Sequence, residues 1–207
     1  MLSDNPFIEK NYPWTYKESD GGFFLPEVYD KLVDILYSDT IKDWNVVNDD
    51  GTDDAYPQGQ VVIIDDEERE KASGFLREFY DWLWTDELEA KIFEVTGINF
   101  NNYTRLWHLD YPEFDQAWHN DVEPFYTDIE LTTFQIYMAK DESKKHSGVI
   151  LADKIDPEDD EDYSLGVAQV EYKPNHAWAF TANLNTWHAV KPIDFYRPSF
   201  IARNFNQ

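Results

Sequence analysis

The sequence contains no cysteine, which excludes disulfides and any thiolate metal site. It has no apolar run of 18 residues, the length a membrane-spanning helix needs. Its first residues, Met1-Leu2-Ser3-Asp4-Asn5-Pro6, lack the basic-then-apolar pattern of a secretory signal. A membrane is therefore not an expected partner, and a cytoplasmic location is the expectation. Basic residues are scarce. Seventeen Lys+Arg stand against 42 Asp+Glu, a formal net charge of −25. Such a field repels phosphate backbones and anionic lipid, which argues against nucleic acid as a partner. It suits a solvated surface and would favour a neutral or cationic substrate.

Aromatic residues are abundant by contrast, with 8 Trp, 13 Tyr and 14 Phe, enough to fill a sandwich core and line a pocket. No internal repeat and no Pro-, Gly- or Ser-rich linker divides the chain. A single domain over 1–207 is expected, a length at which a β-rich domain buries a substantial core. The hydrophobic spacing changes near Gly97. Before it, helical periodicity dominates. Val28, Leu32, Ile35 and Leu36 follow Pro26, which suits a first helical turn. A long helix from Asp66 carries Phe75, Leu76, Phe79 and Leu83 on one stripe, and Leu88, Ile92 and Val95 continue it to a stop at Gly97. Residues 48–60 read as a loop and 61–64 as a short strand.

After Gly97, segments near 100–107, 131–138, 148–151, 165–172, 177–181 and 199–205 are short, rich in β-branched and aromatic residues, and separated by polar turns. Helical support over about 24–97 followed by strands over about 98–207 predicts an α+β, mainly β fold. A β-sandwich or jelly roll buttressed by N-terminal helices fits that order.

Two short segments carry the chemistry. Trp118-His119-Asn120-Asp121 sets a histidine and a carboxylate two residues apart, and Trp187-His188-Ala189-Val190 supplies a second histidine. Two neutral imidazoles and one carboxylate are the facial ligand set for non-haem Fe(II), which leaves positions for a co-substrate and O2. On extended or near-extended backbone, residues i and i+2 share a face, so His-x-Asp can aim both ligands at one ion. Arg197 follows nine residues after His188, and a guanidinium fork grips a carboxylate in bidentate fashion. The pattern reads as an iron oxygenase with a dicarboxylate co-substrate.

The same spacing recurs at His108-Leu109-Asp110, expected at the end of the preceding strand, so His-x-Asp alone is weak and the joint pattern carries the argument. His146 and His176 are expected in solvated turns. The acidic runs 156–162 and 49–54 read as solvated loops, because adjacent like charges repel and the second lacks the alternating ligands and terminal Glu of an EF-hand. Trp118 and Trp187 read first as packing residues.

From about 102 to 205, and more loosely at Phe24-Leu25-Pro26, the sequence resembles the 2-oxoglutarate and Fe(II)-dependent dioxygenases, especially their prolyl 4-hydroxylase-like branch. The resemblance implies a double-stranded β-helix, a cupin-like jelly roll, with His119, Asp121 and His188 as metal ligands. His119 is preferred to His108 because it lies at the family-like distance from the strand Thr133-Phe134-Gln135-Ile136-Tyr137-Met138. The resemblance further implies that Arg197 binds the distal carboxylate of 2-oxoglutarate, that Ser199 supports it and that Tyr137 reaches the same carboxylate. Arg203, in phase with Arg197, is expected past the pocket. Ser147-Gly148-Val149-Ile150-Leu151 resembles the family's glycine turn. Tyr172-Lys173-Pro174-Asn175-His176 resembles its proline turn, where an Asn that tolerates the left-handed region can replace the usual glycine.

The implied cofactors are Fe(II), 2-oxoglutarate as co-substrate and O2, with ascorbate as reductant, and the co-products are succinate and CO2. The favoured substrate is a prolyl residue of a peptide or protein, which the anionic surface would suit if that segment were basic. A free amino acid or other small molecule is the alternative within the family. A non-catalytic cupin-like binding or structural protein is the alternative outside it. The oligomeric state is left open.

Overall fold

Strands β7 (Glu130–Met138) and β12 (Arg197–Asn206) pair antiparallel over eight residues at the centre of an eight-stranded sheet. In this computed structural model the described residues are 1–38, 41, 44–47, 59–100, 103–122, 130–159 and 161–206. On one side of the central pair lie β10 (Pro174–Thr181), β2 (Tyr16–Ser19) and β1 (Phe7–Lys10). On the other lie β5 (Tyr103–Asp110), β4 (Gly59–Ile63) and β3 (Asn45–Val47). A second sheet orders β6 (Gln116–His119), β11 (Trp187–Val190), β8 (Ile150–Ala152) and β9 (Ala168–Gln169). Two antiparallel sheets with helices against one of them are the expected jelly roll of α+β, mainly β class.

Side-chain alternation assigns the two faces of the large sheet. Phe134 and Ile136 of β7, Ala177 and Ala179 of β10, Phe200 and Ala202 of β12, and Trp107 of β5 point to one side. There they pack with buried residues of α1 (Pro26–Tyr37), α3 (Gly74–Leu83) and α4 (Asp86–Thr96). Phe79 stacks on Trp107 with ring centroids 5.6 Å apart and meets Phe200 edge-on. Each such ring contributes about 1.5–3 kcal/mol by leaving water. Tyr137, Trp178 and Phe180 point the other way and pack with Leu151 and Val190 of the small sheet. The space between the sheets is thus walled by odd-numbered residues of β7 and β12.

The N-terminal part differs from the expectation of a mostly helical segment. β1 and β2 extend the large sheet beyond β10, and β3 and β4 extend it beyond β5. β1 and β2 are four-residue strands whose charged side chains alternate with few apolar ones, so neither presents a recognisable apolar period. The single long helix expected from Asp66 is three helices, α2 (Asp66–Lys71), α3 and α4. Asp65 caps α2 by accepting from Glu68 N at 2.8 Å. Gly74, at φ 57°, is a left-handed residue that a continuous helix cannot accommodate. Gly97 ends α4 at φ 76°, its N–H donating to Phe93 O at 2.8 Å, as its position implied.

Asn175 takes φ 59°, the conformation the proline turn requires. Its side chain then does what a glycine could not. Oδ1 accepts from Phe24 N and Nδ2 donates to Phe24 O, both at 2.8 Å, tying the N-terminal segment to β10. Of the expected loop over 48–60, residues 48–58, with the acidic run 49–54, lie outside the described residues, as do Asn102 and Asp160. Gly59 and Gln60 belong to β4.

Candidate metal centre

Strands β6 and β11 pair antiparallel with His119 directly opposite His188, which sets the two imidazoles side by side, ring centroids 4.1 Å apart. Asp121 lies just beyond β6. It is not on extended backbone: its φ is 57°, a left-handed conformation that Asp tolerates. Asn120 Oδ1 accepts from Val122 N at 3.0 Å, an Asx turn that fixes this bend. The bend brings Asp121 Oδ1 to 3.4 Å from His119 Nε2 and Oδ2 to 3.5 Å from His188 Nε2.

The three residues offer ligand atoms that all lie within 4.8 Å of one another, the one such cluster found among the described residues. Each imidazole has its Nδ1 2.9 Å from a backbone carbonyl, Ala117 O for His119 and Thr186 O for His188. A neutral ring that donates from Nδ1 keeps its Nε2 lone pair free, the arrangement by which proteins orient metal-binding histidines. Burial, with His119 beside it, pushes His188 down to about 4, so its ring is neutral at ordinary pH. Burial opposes ionisation of Asp121, yet the contact with His119 and the nearby His188 and Arg203 hold its carboxyl well below the usual range. Asp121 Oδ2 is buried without a hydrogen-bond partner. A buried, ionised oxygen with no donor is costly unless a cation completes it, so the residues present fit a divalent metal.

A cavity of about 370 Å³ opens from this cluster between the sheets, bordered by Asp121, His188, Gln135, His108 and both Arg197 and Arg203. Arg197 is 3% exposed. Its Nε donates to Asp110 Oδ2 at 2.7 Å and its Nη1 to Ser147 O at 2.9 Å. Those are its hydrogen bonds among the described residues, and they leave Nη2 for a ligand. Arg197 is expected to grip the distal carboxylate of 2-oxoglutarate. The structure adds an internal carboxylate to that expectation, because Asp110, 1% exposed, lies opposite Arg197 in the β5–β12 register. Asp110 Oδ1 lies 2.9 Å from His108 Nδ1. Burial raises the Asp110 carboxyl, but Arg197 and His108 outweigh it and keep it below its ordinary value. The second His-x-Asp pair, at the end of β5 as expected, is therefore a support for Arg197.

Ser199 Oγ accepts from Gln135 Nε2 at 3.1 Å, and Gln135 Oε1 accepts from Trp178 Nε1 at 3.0 Å. Tyr137 is fully buried, and its hydroxyl accepts from Val149 N at 3.2 Å. Burial pushes it up to about 12, with nearby Arg197 opposing. Neither residue borders the cavity, whereas Gln135, which donates to Ser199, does. Arg203, expected past the pocket, borders it, because its side chain reaches back until Nη2 lies 3.9 Å from Asp121 Oδ2. His176, expected in a solvated turn, is buried in β10 with Nε2 3.5 Å from Glu18 Oε1, because β10 begins at Pro174. His146 is exposed as expected. Asp110, Gln135, Thr133 and Arg203 were missed as site residues. The signal was alternation: they share the inward phase of the residues already singled out on β5, β7 and β12.

No protein-family model and no curated protein matches the sequence. Solved structures do match its fold. It is similar to a prolyl-4-hydroxylase from Pseudomonas putida at a TM-score of 0.61 and 15% identity, covering 93% of this chain and 92% of that one. A prolyl hydroxylase from Trichoplax adhaerens, in complex with a hypoxia inducible factor oxygen degradation domain peptide fragment, matches at 0.57 and 12% identity over 98% of this chain and 84% of that one. SnoN, a non-haem alpha ketoglutarate dependent epimerase from nogalamycin biosynthesis, matches at 0.57 and 12% identity over 93% and 77%. The chain thus has the fold of the 2-oxoglutarate-dependent oxygenases, prolyl hydroxylases included.

Proposed function

We propose that the protein is an Fe(II)- and 2-oxoglutarate-dependent dioxygenase, a single domain over 1–207, that hydroxylates an unactivated C–H bond. The observation that carries this reading is the convergence of His119 Nε2, His188 Nε2 and the unpartnered Asp121 Oδ2 at the end of a cavity whose far wall holds Arg197. Those three residues hold the metal. When bound, Fe(II) supplies the oxygen chemistry that couples oxidative decarboxylation of 2-oxoglutarate, giving succinate and CO2, to hydroxylation. Ascorbate serves as reductant.

The chain's own residues bind and orient. Arg197 presents Nη2 to the distal carboxylate of 2-oxoglutarate, and Asp110 and Ser147 O hold the fork so that little freedom is lost on binding. Tyr137 and Ser199 support Arg197 from beneath, with Gln135 steadying Ser199. Apolar walls from Val149, Trp178 and Phe180 keep water away from the reacting centre and strengthen each charge contact there.

A prolyl residue of a peptide is the favoured substrate, supported by the fold shared with two prolyl hydroxylases, one of them in complex with a peptide. A small-molecule hydroxylase is the second reading, favoured by the charge-lined cavity and by the fold shared with the epimerase from nogalamycin biosynthesis. The net charge of −25 stands against a nucleic-acid substrate. The test is direct. Protein incubated with Fe(II), ascorbate and 2-oxoglutarate should release succinate slowly, and a proline-containing peptide should accelerate release and gain one oxygen by mass. Absence of metal uptake and of succinate would leave a binding module instead.

A further inference from the structure

We infer that Arg203 and Thr133 form a second carboxylate-binding subsite at the metal end of the cavity, separate from the Arg197 end. This deepens the reading above and rests on its metal site. Three atoms at that end are buried without a hydrogen-bond partner: Asp121 Oδ2, Thr133 Oγ1 and Arg203 Nε. The first is accounted for by a metal ion. The other two are a hydroxyl and a guanidinium donor, and both donate to the same kind of group, an anionic oxygen. Thr133 is 3% exposed, so its hydroxyl finds no compensation from open solvent.

Register places these two side by side. Arg203 lies opposite Thr133 in the β7–β12 pairing, and Thr133 opposite Phe180 in the β7–β10 pairing. Phe180 in turn meets the His188 ring edge-on at 5.1 Å. The row Arg203–Thr133–Phe180 therefore crosses the sheet and ends at a metal ligand. Arg197 stands six residues away on β12, roughly 20 Å along the backbone of an extended strand, and its guanidinium meets Asp110 where that of Arg203 meets Asp121, so the two serve different ends of the cavity.

Charge supports the same assignment. The positive charge of Arg197 is matched by Asp110 at 2.7 Å. Arg203 has Asp121 at 3.9 Å, too far for a hydrogen bond, and Asp121 is the residue whose charge a metal would take. A divalent ion with Asp121 leaves one net positive charge, which balances one carboxylate. A dicarboxylate brings two, and Arg203 supplies the second balancing charge. The anion is a carboxylate held beside the metal, either the keto-acid end of the co-substrate or a carboxylate on the substrate.

The experiment titrates protein by calorimetry, with and without Mn(II) as a redox-silent ion, using 2-oxoglutarate and pyruvate. N-acetylproline and N-acetylprolinamide are then titrated at saturating 2-oxoglutarate. Variants are Arg203→Gln, Arg203→Lys and Thr133→Val, the last nearly isosteric. If the co-substrate fills the subsite, Arg203→Gln weakens 2-oxoglutarate and pyruvate alike by about tenfold or more, and Thr133→Val by less. If the substrate fills it, both keto acids bind unchanged while the wild-type preference for N-acetylproline over its amide disappears. Arg203→Lys retains part of the effect. Folded variants that change neither set overturn the inference while leaving the metal site standing. Wild type that takes up no Mn(II) overturns the metal reading instead, and the metal-free titrations then decide whether Arg203 binds the acids.

Discussion

Arg197 and Asp110 form an ion pair across β5 and β12, Nε to Oδ2 at 2.7 Å, with both side chains less than 5% exposed. Removing one partner of such a pair strands the other charge in the interior and costs about 3–5 kcal/mol. For a chain of this size each kcal/mol lowers Tm by about 2–4 °C, so Asp110→Asn should reduce Tm by roughly 6–20 °C. Chemical denaturation of the variant would check it, and an unchanged midpoint contradicts the pairing. Arg197→Ala should carry the same stability loss. It should also weaken 2-oxoglutarate binding by about thirtyfold or more, with Arg197→Lys between wild type and Ala because it keeps the charge and loses the fork.

Metal addition should stabilise the protein through His119, Asp121 and His188. An ion at a hundred times its Kd contributes about 2.7 kcal/mol, roughly 5–11 °C in Tm. His119→Ala and Asp121→Ala should abolish the Mn(II)-induced shift and the iron-dependent turnover. The metal-free Asp121→Ala protein should fall below wild type in Tm, since it loses a carboxylate that His119, His188 and Arg203 hold ionised. A full Mn(II) shift in both variants would move the site elsewhere.

His188 should make the metal-free protein acid-sensitive. Burial, with His119 beside it, lowers its pKa from 6.5 to about 4, so between those values the unfolded chain binds a proton that the folded chain refuses. Stability therefore rises with pH through this window and is lost as pH falls from about 6.5 towards 4. A shift of that size corresponds to about 3 kcal/mol. Urea unfolding of metal-free protein at a series of pH values should show the slope, and His188→Phe should flatten it. Equal stability at pH 4.5 and 7 in the wild type would refute the assignment.

The cluster of His119, Asp121 and His188 was legible from residue type and spacing joined to the family resemblance that preferred His119 to His108, and antiparallel pairing of β6 with β11 then does the rest. The strands that carry them were not, because four residues are too few to establish a period of two. Extended or near-extended backbone was one way for His-x-Asp to aim both ligands at one ion. Asp121 instead takes a left-handed turn that rests on a local bond from Val122 to Asn120, which spacing does not encode. The inward phase of Arg203 was evident from alternation on β12, but the length and curl of an arginine side chain decide where its head lands. Asp110 was read only as a rival ligand. Its real partner is 87 residues away in the chain, visible once β5 and β12 are in register.

Gly148 gives the sharpest test of how the turn before β8 serves the site. A Cβ there would overlap the carbonyl oxygen of Val170 and crowd Tyr172 N at 2.9 Å, both backbone atoms that cannot swing aside. The neighbouring Ser147 O anchors Arg197 Nη1, and Val170 N bonds Val149 O at 2.9 Å. Gly148→Ala must therefore push β8 away from the 170–172 segment and shift the carbonyl that holds the fork. The stability cost should lie at the upper end of the about 1–3 kcal/mol typical of overpacking, and 2-oxoglutarate affinity should fall although no ligand-binding side chain is altered. Gly97→Ala is the control. Its Cβ would meet nothing within 4 Å, so it bears only the left-handed penalty of about 1–2 kcal/mol and should leave 2-oxoglutarate binding intact. Equal loss of affinity in the two variants would mean that general destabilisation, and not the Ser147–Arg197 anchor, governs the site.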